Sequence, residues 1–182
     1  GVHLQMTSQE VLKKYFGYDS FRPGQDTLVE GILSGRDALG IMPTGAGKSL
    51  CYQIPALLMD GITLVISPLI SLMKDQVTTL NQAGIHAAFL NSSLTPGQYR
   101  KALSLMVQGR YRIVYVAPER LLTESFLEAA GQISISMVSV DEAHCISQWG
   151  QDFRPSYLKI SEFIDRLPVR PVVSAFTATA TR

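Results

Sequence analysis

Among its 182 residues the chain has two cysteines, one tryptophan and three histidines, and no apolar run near the length of a membrane span. Cys51 and Cys145 stand apart without C-x-x-C spacing, so neither a disulfide framework nor a zinc site is supported, and a reducing cytosol is the natural setting. The N-terminus lacks the basic-then-apolar form of a signal peptide. An excess of one charge is missing too. Sixteen Lys and Arg against fifteen Asp and Glu give a net charge of +1, which neither demands nor excludes a polyanionic partner. No internal repeat, low-complexity tract or long linker divides the chain. What is present is ordinary globular composition, 46% hydrophobic and 17% charged, at a length that suits one domain. Gly1 to Gln5 reads as an added stretch ahead of Met6, leaving 6–182 as the domain.

Helical and strand patterns alternate along that domain. Helices are expected near Gln9 to Phe16 and Gly24 to Leu33. Strands are expected near Ala38 to Ile41, Thr63 to Ile66, Ala87 to Leu90, Ile113 to Val116, Met137 to Val140 and Val172 to Phe176, with helical patterns between them. Short, continuous apolar strands alternating with helices predict an α/β fold, a mainly parallel sheet covered on both faces. Pro68, Pro96 and Pro118 each fall where a strand has ended and a helix can begin, whereas Pro55 falls where it can bend a helix.

The most informative stretch is Met42-Pro43-Thr44-Gly45-Ala46-Gly47-Lys48-Ser49. A Gly-rich loop between a strand and an apolar helical run can turn backbone N–H groups inward around phosphate oxygens. Lys48 then reaches the β/γ-phosphates, the Ser49 hydroxyl ligates Mg²⁺, and the helix N-terminus faces the anion. Met42 stands where this pattern normally has its first glycine. The strand Val138-Ser139-Val140 then delivers Asp141-Glu142-Ala143-His144 at its carboxyl end, where open α/β sheets bind ligands. Asp141 is placed to share the Mg²⁺ with Ser49, and Glu142 to deprotonate an attacking water.

Further stretches give this kit a family. Phe16-Gly17-Tyr18 and Phe21-Arg22-Pro23-Gly24-Gln25 precede the loop, Ser67 to Gln76 follows the second strand, and Ala117-Pro118-Glu119-Arg120-Leu121 follows the fourth. With Asp141 to His144, Cys145 to Pro155 and the terminal Phe176 to Thr181, they resemble the RecQ family of ATP-dependent DNA helicases, of superfamily 2 and the DEAH-box type, from about Val11 onward. The resemblance implies a RecA-like P-loop NTPase fold, the first of two motor domains, with ATP and Mg²⁺ as cofactors. It also implies single-stranded and duplex DNA as partners, with the second RecA-like domain absent from this sequence, and a place in the cytoplasm, at the nucleoid, or in a nucleus.

The same resemblance assigns the adenine to Tyr18, Arg22 and Gln25, the last through an amide that offers donor and acceptor side by side. His144 and the Thr177 to Thr179 segment become a relay. Trp149, Phe153 and Tyr157 interleaved with Arg154 could be a stacking platform for bases or a small hydrophobic cluster, and the family favours the platform. Ser71, Lys74, Asn91, Ser92 and Arg120 are candidate contacts to a DNA backbone, although such residues also cap helices or sit as solvated charges. An RNA-remodelling motor, a small-molecule P-loop kinase and a non-catalytic ATP-binding scaffold are the rival readings.

Overall fold

The structure, a computed structural model, describes residues 5–43, 46–143 and 153–178, the side chains of 46 and 153–157 aside. Two helices open the fold, α1 (Ser8–Phe16) and α2 (Gln25–Leu33). Thr7 starts α1 with a capping box, its hydroxyl accepting from the Glu10 N–H while the Glu10 carboxylate accepts from the Thr7 N–H. Then come β1 (Ala38–Met42), α3 (Ala46–Leu58), β2 (Ile62–Ile66), α4 (Ile70–Gln82), β3 (Ala87–Leu90) and α5 (Pro96–Val107). After them follow β4 (Ile113–Val116), a 3₁₀ turn at Pro118–Arg120, α6 (Glu124–Ala130), β5 (Ile135–Val140), α7 (Phe153–Asp165) and β6 (Val172–Ala178).

The six described strands form one sheet in the order β1-β6-β5-β2-β4-β3, and every pairing is parallel. β2 and β4 are buried along their whole length because helices cover both faces, which is why their sequences read as mainly apolar runs, Thr63 and Tyr115 aside. Alternate residues divide between two cores. Leu64, Ile66, Val114, Val116 and Val138 pack with α5, α6 and α7, while Val65, Tyr115, Met137 and Phe176 pack with α3 and α4. A third cluster joins α1 and α2 to α3 through Val11, Leu12, Val29, Leu50 and Ile54.

Element boundaries depart from expectation in small ways. β5 begins at Ile135 and β6 continues to Ala178, because neighbouring parallel strands keep pairing beyond the apolar core of each run. Gly24 does not join α2; it precedes the helix at φ +89°, a left-handed conformation that suits glycine. Pro96 opens α5 behind the Thr95 cap, Pro118 opens the 3₁₀ turn, and α3 continues past Pro55 to Leu58. β6 lies between β1 and β5. The Lys48 loop and Asp141 therefore leave the sheet from strands two positions apart, at the same carboxyl edge.

Candidate nucleotide site

α3 carries Gly47, Lys48 and Ser49 in its first turn, and Asp141 directly follows β5, its N–H donating to the Ile66 carbonyl at 2.9 Å. Lys48 is only 3% exposed. Its Nζ lies 3.2 Å from Asp141 Oδ1 and makes a short ion pair with Glu142 Oε1. Burial opposes the charged ammonium, but the two carboxylates outweigh it and raise the Lys48 pKa above its ordinary value. Burial likewise raises Asp141 above the ordinary carboxylate value, with the Lys48 charge pulling against it.

Both carboxylate oxygens of Asp141 have partners, and Oδ2 keeps an acceptor site. Oδ1 also takes the Glu142 N–H at 2.9 Å, and Oδ2 takes the Tyr52 hydroxyl at 3.4 Å. Glu142 is the one non-glycine residue with positive φ among the described residues, at +54°. That conformation costs on the order of 1–3 kcal/mol and turns the Glu142 carboxylate back toward Lys48.

Gln25, 2% exposed, braces the loop from the other side. Its Oε1 accepts the Arg22 N–H at 2.7 Å and its Nε2 donates to the Gly47 carbonyl at 2.9 Å. The expected adenine amide is thus first a clamp on the phosphate loop. One lone pair and one N–H remain on it for a base edge. Tyr18, Arg22, Gln25 and Gly47 share the lining of a small cavity of about 80 Å³, in which Tyr18 is 44% exposed. Cys51, buried behind the loop against the Gly47 carbonyl, has its thiol pushed up to about 12 by burial, which leaves it an inert packing residue.

The structure thus places Lys48, Asp141 and Glu142 in contact beside Ser49, with Tyr18, Arg22 and Gln25 grouped at Gly47. Thr44, Gly45, His144 and Trp149 lie outside the described residues, as do the side chains of Ala46, Phe153 and Arg154. The candidate backbone contacts fall on the other half of the carboxyl edge, after β2, β4 and β3. Ser71 and Lys74 are exposed in the first turns of α4, and Ser92 is exposed after β3. Arg120 is half-buried, its guanidinium 4.7 Å from the centre of the Tyr99 ring. Asn91 is a correction: it is fully buried, and its Oδ1 is taken by the Ser93 N–H and hydroxyl, so it shapes the turn after β3 instead of offering its amide outward.

Four site residues escaped the sequence reading. Tyr52, Gln53, Gln76 and Tyr115 form a buried polar chain behind Ser49 and Asp141. Tyr52 and Gln53 lie three and four positions after Ser49 on one helix face, and Tyr115 places a hydroxyl in an otherwise apolar strand. Those were the available signals.

A parallel sheet with a buried Lys-Ser turn after one strand and an acidic pair after another, all at the carboxyl edge, defines a RecA-like P-loop NTPase domain. The chain belongs to the DEAD/DEAH box helicase family, whose pattern matches residues 22–182. It is 51% identical over 174 residues to the ATP-dependent DNA helicase RecQ of Haemophilus influenzae and 50% identical over 175 residues to that of Bacillus subtilis, each match covering 96% of this chain. The match covers 28% and 30% of those two relatives, so the chain spans under a third of their length. Among solved structures, the DUF1998 helicase MrfA shares the fold at a TM-score of 0.74 and 19% identity, over 96% of this chain and 29% of that one.

Proposed function

We propose that this chain is the ATP-binding half of a DNA helicase motor, coupling ATP hydrolysis to movement along single-stranded DNA and to duplex separation. The observation that carries the reading is the enclosure of the Lys48 ammonium by Asp141 and Glu142. A buried cation held by two carboxylates is poised for exchange: the γ-phosphate of ATP can take the ammonium from Glu142, whose carboxylate then acts as a base. The relatives named ATP-dependent DNA helicases support DNA as the polymer and ATP as the nucleotide.

The donor set also fits a divalent metal. The Ser49 hydroxyl and Asp141 Oδ2 are hard oxygen ligands, and one hydrogen-bonded series through Gln76, Gln53, Tyr115 and Tyr52 links them. Mg²⁺ held there would neutralise charge on the phosphates. In hydrolysis the water oxygen bonds to the γ-phosphorus while the bond to the β–γ bridging oxygen breaks, and ADP leaves with that electron pair. Glu142 takes the proton from the water. Tyr18, Arg22 and Gln25 hold the adenine, and Ser71, Lys74, Ser92 and Arg120 line the path of the DNA backbone. Trp149 and Phe153 are the proposed DNA-sensing aromatics, with His144 and Thr177 linking them to the nucleotide.

The test is ATP hydrolysis by the full-length protein with single-stranded DNA and with RNA of the same sequence. Strong stimulation by DNA alone is expected. Equal or greater stimulation by RNA would favour an RNA-remodelling motor, and transfer of phosphate to a metabolite instead of water would favour a kinase.

A further inference from the structure

The buried polar chain behind the site has a direction, and the direction starts from Asp141. In its ion pair with Lys48, Asp141 is an acceptor only, so the Tyr52 hydroxyl 3.4 Å from Oδ2 must donate to it. Tyr52 then has no hydrogen left for Tyr115, whose hydroxyl lies 2.9 Å away, and Tyr115 must donate to Tyr52. Tyr115 in turn can only accept from Gln53, 3.1 Å away, which fixes that amide with its Nε2 toward the phenol. The second hydrogen on Gln53 Nε2 goes to Gln76 Oε1 at 3.1 Å. Gln76 is thereby oriented with Nε2 toward Ser49 Oγ, also at 3.1 Å. The Ser49 hydroxyl accepts that bond, which leaves a second lone pair on Oγ.

We infer that Gln53 is a positioning residue that orients both proposed metal ligands at once, sending one donor chain through Gln76 to Ser49 and another through Tyr115 and Tyr52 to Asp141. The inference rests on the nucleotide-and-metal reading above. Gln53 itself is 4% exposed and is not one of the proposed ligands. Within this hydrogen-bonded series its amide is the group that donates twice from a single atom, so no residue without an –NH₂ or similar two-hydrogen group can replace it. The geometry also ties Ser49 to α4, the helix whose exposed first turns carry Ser71 and Lys74. A shift of α4 would be felt at Ser49 through Gln76.

The experiment is a Mg²⁺ titration of fluorescent-ADP binding to the full-length protein, alongside binding in EDTA and a thermal melt. Ligand-orienting groups around metals typically contribute about ten- to a hundredfold in metal affinity, so Gln53→Leu should raise the Mg²⁺ midpoint by about that factor with EDTA binding unchanged. Gln53→Glu, which keeps the shape but cannot donate, should do the same. Adding Tyr115→Phe and Gln76→Leu to Gln53→Leu should then cost little more, because both chains are already cut. An unchanged midpoint in folded Gln53→Leu overturns the inference, as does an equal loss of binding with and without metal, which would mark Gln53 as core packing. Should Gln53→Leu not fold, the Gln76→Leu, Tyr115→Phe double variant cuts both arms from outside α3 and is read in the same way. Wild-type protein that binds nucleotide with no response to Mg²⁺ would instead refute the metal reading, and the inference with it.

Discussion

Lys48 is enclosed by a partner 94 residues further along the chain, the Glu142 carboxylate, which a left-handed backbone turns toward it. Two carboxylates on adjacent residues of one turn would repel each other if the ammonium were absent. The Lys48 ammonium therefore holds these two carboxylates together at the start of α3.

Lys48→Ala should abolish ATP turnover in the full-length enzyme, and it should also destabilise the domain. Removing one partner of a buried ion pair typically costs about 3–5 kcal/mol, because the remaining charge is left uncompensated. Asp141 already has its pKa raised in the fold, and without Lys48 it rises further. A group whose folded pKa exceeds its unfolded one is tolerated best when protonated, so the deficit should be largest at neutral pH and shrink on acidification. Denaturant unfolding of the variant at several pH values, beside its ATPase rate, checks both parts.

Glu142→Gln should keep nucleotide binding and lose hydrolysis. The amide cannot accept the proton of the attacking water, while Asp141 keeps its contact with Lys48. Binding of labelled ATP and the rate of phosphate release, measured on one preparation, separate the two. Loss of binding in a folded variant would remove Glu142 from the role of base.

Gly40→Ala should cost stability without touching the nucleotide. A Cβ at Gly40 would lie 2.7 Å from the Phe176 ring and 3.0 Å from Leu28, and the fully buried Phe176 already packs against Tyr52 with ring centres 5.8 Å apart. Overpacking of this kind typically costs about 1–3 kcal/mol. A urea-unfolding midpoint equal to that of the wild type would show that β1 and β6 can part to make room.

An acid-sensitive tie joins the start of β1 to the start of β6. Asp37 accepts from both terminal nitrogens of Arg170 at 3.1 and 2.8 Å and from the Val173 N–H at 3.0 Å, and these bonds hold its pKa below 3.8. A depressed folded pKa gives stability that is present above 3.8 and lost as pH falls through the lower folded value. Asp37→Asn should therefore be modestly less stable than wild type near neutrality, the pair being solvent-exposed, with the difference shrinking below pH 3.8. Equal stabilities at neutral pH would show that the pair contributes nothing.

The residues of the candidate nucleotide site stood out in the sequence because their signal is local. Gly47, Lys48 and Ser49 must be adjacent for backbone, ammonium and hydroxyl to meet one phosphate tail, and Asp141 and Glu142 must follow a strand that ends at the sheet edge. Mainly apolar runs in β2 and β4 marked buried parallel strands for the same reason: the pattern is set by what covers each face of a single strand. Asn91 was misread because a polar residue after a strand looks the same in sequence whether its amide faces solvent or closes its own turn.

By itself, then, the sequence determined which side chains could bind a nucleotide and that a parallel α/β sheet would present them. It did so because period, spacing and loop chemistry are properties of neighbouring residues. Tertiary structure alone decided that β6 would insert between β1 and β5, and that Gln53 of α3, Gln76 of α4 and Tyr115 of β4 would meet in one hydrogen-bonded chain. Those residues come from three elements with no common spacing. Their partnership exists because a buried donor or acceptor must find a partner, and only the packing of α3 and α4 on the sheet determines which partners are within reach.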